Sequence, residues 1–461
     1  MTAARSENSI LASWRVVPAL LWALLVMLPI AALALAGTAQ ALPGMAVAIA
    51  ALTLFVGALV ASFSARYMRS DSARTSYFLT LAALVLAVLV FVMSANAILF
   101  AIAWVASGLL LSRLIGHADG LAEARAASRR SRATFLIGDA AVLLAVGILC
   151  WAAGSLSLGK AIAASGGLSM PLAALAALLL LAGAAARCAL PPFSGWLLSS
   201  MTAPTPVSAL MHAGLVNAGG FLLLRFAPVL EAAPGVRYAA IALGLGAAVW
   251  GIGIMAVRPD IKRSLAGSTI SQMGFMIMTC GLGAYAAALW HLIAHGLFKA
   301  WLFLNAGSAI GMRRAGPAAL DPRMVAMVSV VALGGGTLLV LAGSATAELV
   351  PLLLASATAA ATFGAIVLGK MHWRSRVMLG AALAVLVGVH VAGFALARAI
   401  VEPPATPLLS PLATLALLAL FLACWVAQTV RLAQQRPIPP ALYVRLLNAG
   451  QLPSIQAGER P

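Results

Sequence analysis

Acidic side chains are scarce in this chain: 11 Asp and Glu among 461 residues, and all charged residues together make up 9%. A soluble protein of this length needs far more charge to cover its surface, so a free globular enzyme is excluded. Cysteine is also rare. Cys150, Cys188, Cys280 and Cys424 are scattered through apolar runs with no CxxC spacing, which encodes neither a disulfide framework nor a zinc or iron–sulfur site. The apolar runs lack the strict alternation of a membrane β-barrel.

What is abundant is hydrophobicity, at 63% of residues with a mean hydropathy of +1.05. Runs of about 20 apolar residues, each long enough to cross a ~30 Å hydrocarbon core as a helix, recur from end to end. In lipid a spanning segment must satisfy its own backbone groups, so the expected fold is an all-α polytopic membrane protein. Fourteen spans are expected, at 16 to 36, 41 to 65, 77 to 93, 95 to 115, 134 to 156, 170 to 190, 206 to 229, 236 to 257, 264 to 284, 286 to 311, 324 to 345, 347 to 370, 376 to 400 and 408 to 433. The polar start of the chain reads as a retained lead into the first span rather than a removed signal peptide.

The excess of 29 Lys and Arg is a topology signal. Alternate connections collect Arg5 and Arg15; Arg66, Arg69 and Arg74; Arg113, Arg125, Arg129, Arg130 and Arg132; Arg258, Lys262 and Arg263; Arg313, Arg314 and Arg323; Lys370, Arg374 and Arg376; and Arg431, Arg436, Arg445 and Arg460. The positive-inside rule makes that face cytoplasmic, with both termini on it. Nucleic-acid binding is therefore not needed to explain the charge. The longest basic connection, Gly116 to Ala133, is either a solvated loop or a docking surface for an acidic partner or anionic lipid. The tail after Arg431 either docks through a short amphipathic stretch at Ala441 to Leu447 or frays.

Of the remaining cations, Lys160, Arg237 and Arg398 border the opposite face, and Arg225 sits near a helix end where its stem can snorkel. Arg187 and Lys299 lie deep. Arg187 stands one turn before Pro191-Pro192, and Pro204-Thr205-Pro206 opens the next span. Paired prolines stop a helix, and non-helical backbone at membrane depth survives only inside protein or beside a watery cavity. A broken helix over an internal polar site follows.

His291, His295 and Lys299 fall at i, i+4 and i+8, a stripe of roughly 12 Å along one helix face, and His212 lies in another span. Ionisable groups at membrane depth are costly and point to function. The HxxxH spacing matches a zinc helix, but Leu292 stands where a zinc protease has its Glu, and no third ligand is in reach by sequence. A proton relay fits better, because histidine titrates near neutral pH and desolvation can bring a lysine toward the same range. Asp139 is the clearest intramembrane acid, with either Arg132 or an intramembrane cation as its partner.

Two stretches carry a resemblance. LPPFSGWLLSSMTAPTPVSALMHAGLVNAGGFLLLR (190 to 225) and DIKRSLAGSTISQMGFMIMTCGLGAYAAALWHLIAHGLFKAWLFLNAGSAI (260 to 310) resemble the antiporter-like subunits of respiratory complex I and of the Mrp cation/proton antiporters. Weaker similarity through Ser64 to Met68 and Gly138-Asp139 extends it over most of residues 60 to 312. The resemblance implies discontinuous helices in inverted repeats around a polar proton-moving axis, with His212, His291, His295 and Lys299 on that axis. It divides the chain into N-terminal spans (1 to 60), an antiporter-like core (61 to 312), divergent C-terminal spans (313 to 433) and a cytoplasmic tail (434 to 461).

The departures matter as well. Family members carry lysine at the position of Arg187 and, in complex I, glutamate at that of Val105. Arginine does not give up its proton, so Arg187, with Asp139, is expected to tune neighbouring charges rather than relay them. These losses count against a complex I subunit, and the 461-residue length with HAGLVNAGGFLLLR and SQMGFMIMTCGLGAYAAALWHLIAHGLFKA is most similar to the DabB family, membrane subunits of two-component inorganic-carbon pumps. That likeness implies a cytoplasmic DabA-type partner, resembling a zinc β-carbonic anhydrase, that does the hydration while this chain moves protons or Na⁺ inward. Zinc then belongs to the partner, with no cofactor and no enzymatic chemistry expected on this chain. Two alternatives are a subunit of an Mrp-type antiporter or of a respiratory or hydrogenase complex, and an inert anchor for a soluble enzyme.

Overall fold

The computed structural model describes residues 13–38, 42–309, 320–343, 346–369, 371–404 and 407–451. Arg5, Arg313, Arg314, Lys370 and Arg460, the start of the chain and the end of its tail therefore lie outside the described residues. Fourteen helical spans are long and apolar enough to cross a membrane: α1 (Ser13–Leu35), α2 (Gly44–Tyr67), α3 (Arg74–Met93), α4 (Ala97–Ile115), α5 (Ala122–Ala153), α6 (Met170–Arg187), α7 (Thr205–Arg225), α8 (Pro234–Val257), α9 (Ile261–Leu282), α10 (Tyr285–Leu304), α11 (Pro322–Leu341), α12 (Leu349–Leu368), α13 (Trp373–Ile400) and α14 (Pro411–Ala433). Each corresponds to one of the fourteen spans expected from sequence. The described residues outside them form turns and short helices, with no strand.

One boundary differs by a wide margin. The connection expected as a loop up to Ala133 is helical from Ala122, so α5 runs 32 residues. Its first turns, AEARAASRRSRA, are built from good helix formers, and a hydropathy reading sees only the apolar part of such a helix. Side chains terminate the neighbouring elements. Asn96 accepts from the amides of Ile98 and Leu99 to start α4, and Asp260 accepts from Arg263 N at 2.8 Å to start α9.

The break after α6 is present. Arg187 ends that helix, a cis Pro191-Pro192 bond follows, and a short helix at Gly195–Ser199 leads to Pro204. A second interruption was not read from sequence. Span α7 is two helices, Thr205–Ala213 and Ala218–Arg225, joined by a 3-10 turn at Leu215–Asn217. Asn217 Nδ2 donates to Ala213 O at 2.8 Å and to Leu292 O of α10 at 3.3 Å, satisfying carbonyls that the break and the neighbouring helix present.

Span α7 is the most enclosed, with 94% of its most apolar stretch buried, and α13 the least, at 0%. The first ten spans share one core, and α11 to α14 form a second that includes Ala287 at the start of α10. One further detail departs from expectation, and another chooses between two readings left open. Arg225 does not snorkel: it donates to the carbonyls of Phe91, Val92 and Ser94 at the end of α3, where helix carbonyls lack partners. The tail docks rather than frays, at least as far as it is described. Helix Pro440–Leu447 buries Leu446, Arg258 Nη2 donates to Ala449 O at 2.5 Å, and Arg130 Nη1 donates to Gly450 O at 3.3 Å.

Candidate functional site

Helix α10 presents His291, His295 and Lys299 on one stripe, as the i, i+4, i+8 spacing requires. The rings of His291 and His295 lie 6.0 Å apart and nearly parallel, at 12°. Lys299 is 1% exposed, and its Nζ donates to Leu265 O in the first turns of α9 at 3.1 Å. Thr269 Oγ1 donates to the same carbonyl at 3.0 Å.

His212, at the end of the first half of α7, joins this group from another side. Its ring stacks on Phe303 of α10 with centroids 4.2 Å apart, and its Nδ1 lies 3.0 Å from Thr269 Oγ1. Because the threonine hydroxyl gives its proton to Leu265 O, it accepts from His212 Nδ1–H, which leaves Nε2 as the acceptor in the neutral ring. A single carbonyl and hydroxyl on α9 thus link the two titratable side chains contributed by α7 and α10, His212 and Lys299.

The close approach of α7 to α10 depends on Gly296. A Cβ there would stand 2.7 Å from Ala213 O, so any larger residue would push the two helices apart between His212 and His295. His295 lies within electrostatic reach of His291, Lys299 and His212. Among the described residues no protein group bonds to either ring nitrogen of His295, to His212 Nε2 or to His291 Nε2, although all four atoms are buried. Buried polar atoms take partners, so these four nitrogens suit a thread of hydrogen-bonded water.

Arg187 and Asp139 form a separate centre. Arg187 Nη2 donates to Asp139 Oδ1 at 2.8 Å and to Trp104 O at 2.7 Å, and Nη1 donates to Ser107 Oγ at 3.2 Å. The guanidinium also lies 4.7 Å from the Trp104 ring centroid and 4.9 Å from that of Phe135. Of the two partners left open for Asp139 by sequence, the intramembrane cation is the one found. A Cβ at residue 108 would fall 2.8 Å from Arg187 Nη2, so Gly108 makes room for the broad guanidinium. Val105 leaves α4 without a carboxylate, and the acidic partner comes from α5 instead. Among the described residues no hydrogen bond joins this pair to the histidines. The two centres meet only through packing, where Cys188 Sγ lies 3.2 Å from Val216 O in the α7 break.

Several contributors had no sequence signal. Thr269, the Leu265 carbonyl, Phe303 and Asn217 join this cluster only because α7, α9 and α10 converge. A further one is Glu348, just ahead of α12, whose two oxygens accept from the amides of Ala286 and Ala287 at 3.1 and 3.3 Å.

A multi-span helical bundle with a twice-interrupted path and a buried stripe of proton-accepting side chains is the architecture of an ion-translocating membrane subunit. Residues 94–386 match the NADH:quinone oxidoreductase/Mrp antiporter transmembrane family, and the chain belongs to it. That match starts later than the likeness read from sequence and runs further, through α12 into α13. The chain is 39% identical over 261 residues to the probable inorganic carbon transporter subunit DabB1 of Halothiobacillus neapolitanus, covering 55% of this chain and 47% of the relative. It is 36% identical over 258 residues to NADH-quinone oxidoreductase subunit L of Mycobacterium tuberculosis, covering 55% and 41%. The chain spans about half the length of these curated relatives. Among solved structures it is similar to the Mrp complex from Dietzia sp., with a TM-score of 0.60, 25% identity, and coverage of 95% of this chain and 49% of that one.

Proposed function

We propose that this chain is the ion-translocating subunit of an inorganic-carbon uptake system in a bacterial inner membrane, with its cation-rich face and both ends in the cytoplasm. Protons enter from the opposite face, pass along His291, His295 and Lys299 with His212 at their side, and leave toward the cytoplasm. Their passage drives CO₂ hydration in a cytoplasmic DabA-type zinc partner. The observation that carries this reading is the set of buried, unpartnered ring nitrogens beside Lys299, a path that can accept and release protons. The coupling ion follows from the same chemistry. Nitrogen bases and an ammonium line the track, whereas a hard cation such as Na⁺ wants oxygens. The similarity to DabB1 supports carbon uptake as the output.

Each residue has a role. Lys299 holds the proton nearest the cytoplasm, its ammonium stabilised by Leu265 O. His295 exchanges with it, and His212 shares the Thr269 bridge. Arg187, bonded to Asp139, Trp104 and Ser107, keeps its charge and sets the local potential without entering the relay.

A carbonic-anhydrase-deficient host provides the test. The wild-type chain with its partner is expected to restore growth at low CO₂, and both an uncoupler and Lys299→Ala are expected to abolish the rescue with the complex still assembled. Full rescue by Lys299→Ala would remove the relay. Rescue that persists with an uncoupler would make the chain an anchor only. The second reading, a subunit of an Mrp-type or respiratory complex, is favoured by the Dietzia likeness. It predicts that several antiporter-like subunits co-purify with this chain in place of a carbonic-anhydrase-like protein.

A further inference from the structure

The histidine stripe has no obvious donor at its far end, because the sequence places no carboxylate on α10. The structure brings one there from elsewhere. Glu348 stands 62 positions from Ala286 in sequence, yet its Oε1 accepts from Ala286 N at 3.1 Å and its Oε2 from Ala287 N at 3.3 Å. Ala287 is four residues before His291, so the carboxyl caps the same stripe that carries His291, His295 and Lys299. From Ala287 to Lys299 the stripe rises about 18 Å, more than half of a ~30 Å hydrocarbon core.

We propose that Glu348 takes up protons from the face opposite the cations and hands them to His291, so that the track reads Glu348, His291, His295, Lys299. The proposal deepens the proton-path reading above and rests on it. Three observations converge on it. Glu348 is half-buried at the mouth of the track. His291 Nε2, one turn further in, is buried and bonded to no protein group. A cavity of about 80 Å³, large enough to hold water, is lined by Thr346, Ala347 and Val350, the chain neighbours of Glu348, though not by Glu348 itself.

The way Glu348 is held also suits a carrier. Two amides at a helix N-terminus stabilise the anion, but a protonated carboxyl keeps lone pairs on both oxygens and can remain docked. The other ionisable groups facing it are Arg398 of α13 and Cys280 of α9, with Tyr285 beside the bonded amides. Burial outweighs the amides and Arg398 and pushes the carboxyl up to about 7. It is therefore protonated below that pH and empty above it. In each cycle the O–H proton passes through water to His291 Nε2, and the carboxylate regains one from the aqueous face.

The test uses the complex purified through this chain, reconstituted into vesicles with an enclosed pH-sensitive dye and a potassium–valinomycin potential. Wild-type flux is expected to fall as pH on the Glu348 face rises through about 7. Glu348→Gln keeps an amide-accepting oxygen but cannot load a proton, and should lower flux by about tenfold or more and flatten the profile. Glu348→Asp should restore a pH-dependent profile with a displaced midpoint. Lys299→Ala serves as the control for the path itself. Flux in the wild type, none in Lys299→Ala and a wild-type profile in Glu348→Gln would overturn the role of Glu348 alone. No flux in the wild type would overturn the proton path and Glu348 together. If Glu348→Gln fails to assemble, the midpoint of Glu348→Asp decides, and an unmoved midpoint overturns the proposal.

Discussion

Arg187 and Lys299 are both buried cations on helices that pack against α7, yet their surroundings differ in kind. Arg187 is held on several sides: a carboxylate, a carbonyl, a hydroxyl and two aromatic faces contact its guanidinium, and only Nε and the second oxygen of Asp139 bond to no protein group. Lys299 donates to one carbonyl, and the rings nearest it keep nitrogens that no protein group bonds. An ion pair bonded this many times is a fixed charge, because moving its proton means breaking several charge-assisted hydrogen bonds in an apolar setting. An under-bonded one has acceptors to spare. The same bundle therefore contains a locked centre and an open one, and only the open one is suited to passing protons along.

The contrast can be broken or sharpened by substitution. The largest effect on stability is expected at the locked centre. Asp139→Ala leaves Arg187 buried and unpaired, which should cost about 3–5 kcal/mol, read as a lowered melting temperature of the purified chain in detergent. A near-neutral Asp139→Ala would mean that the pair is not the clamp its geometry implies. A smaller effect is expected from Arg187→Lys. The compact ammonium retains the charge but loses the fork that bonds Asp139, Trp104 and Ser107 together, at roughly 1–2 kcal/mol, with proton flux close to wild type. If that substitution instead raised or abolished flux with the complex intact, the pair would belong to the moving path and the contrast would fail.

How much of this was legible in the sequence follows the same division. The stripe on α10 is local, since i, i+4 spacing on a helix dictates a shared face before any tertiary contact forms. The fourteen spans were legible for a similar reason: hydropathy over about 20 residues is a property of each segment alone. The helical start of α5 was hidden because its AEARAASRRSRA turns are polar and lie outside the apolar window. The break at Gly214 to Asn217 was hidden because no proline marks it, and only the second bond of Asn217, to Leu292 O, depends on α10 being in place. The pairing of Asp139 with Arg187 spans 48 positions, and that of Glu348 with α10 spans 62. Neither separation leaves a pattern in one sequence. Glu348 in particular reads as a lone acid at the very start of the span expected at 347 to 370 until the helices bring it to the head of the stripe.

The open centre can be tested most directly by proton flux into reconstituted vesicles at a fixed membrane potential, comparing the wild-type complex with Lys299→Ala at equal assembly. Dye-reported proton entry is expected in the wild type, and none above the leak of empty vesicles in the variant. Equal flux in the two would contradict it, because protons would then be crossing by a route that does not include the stripe on α10.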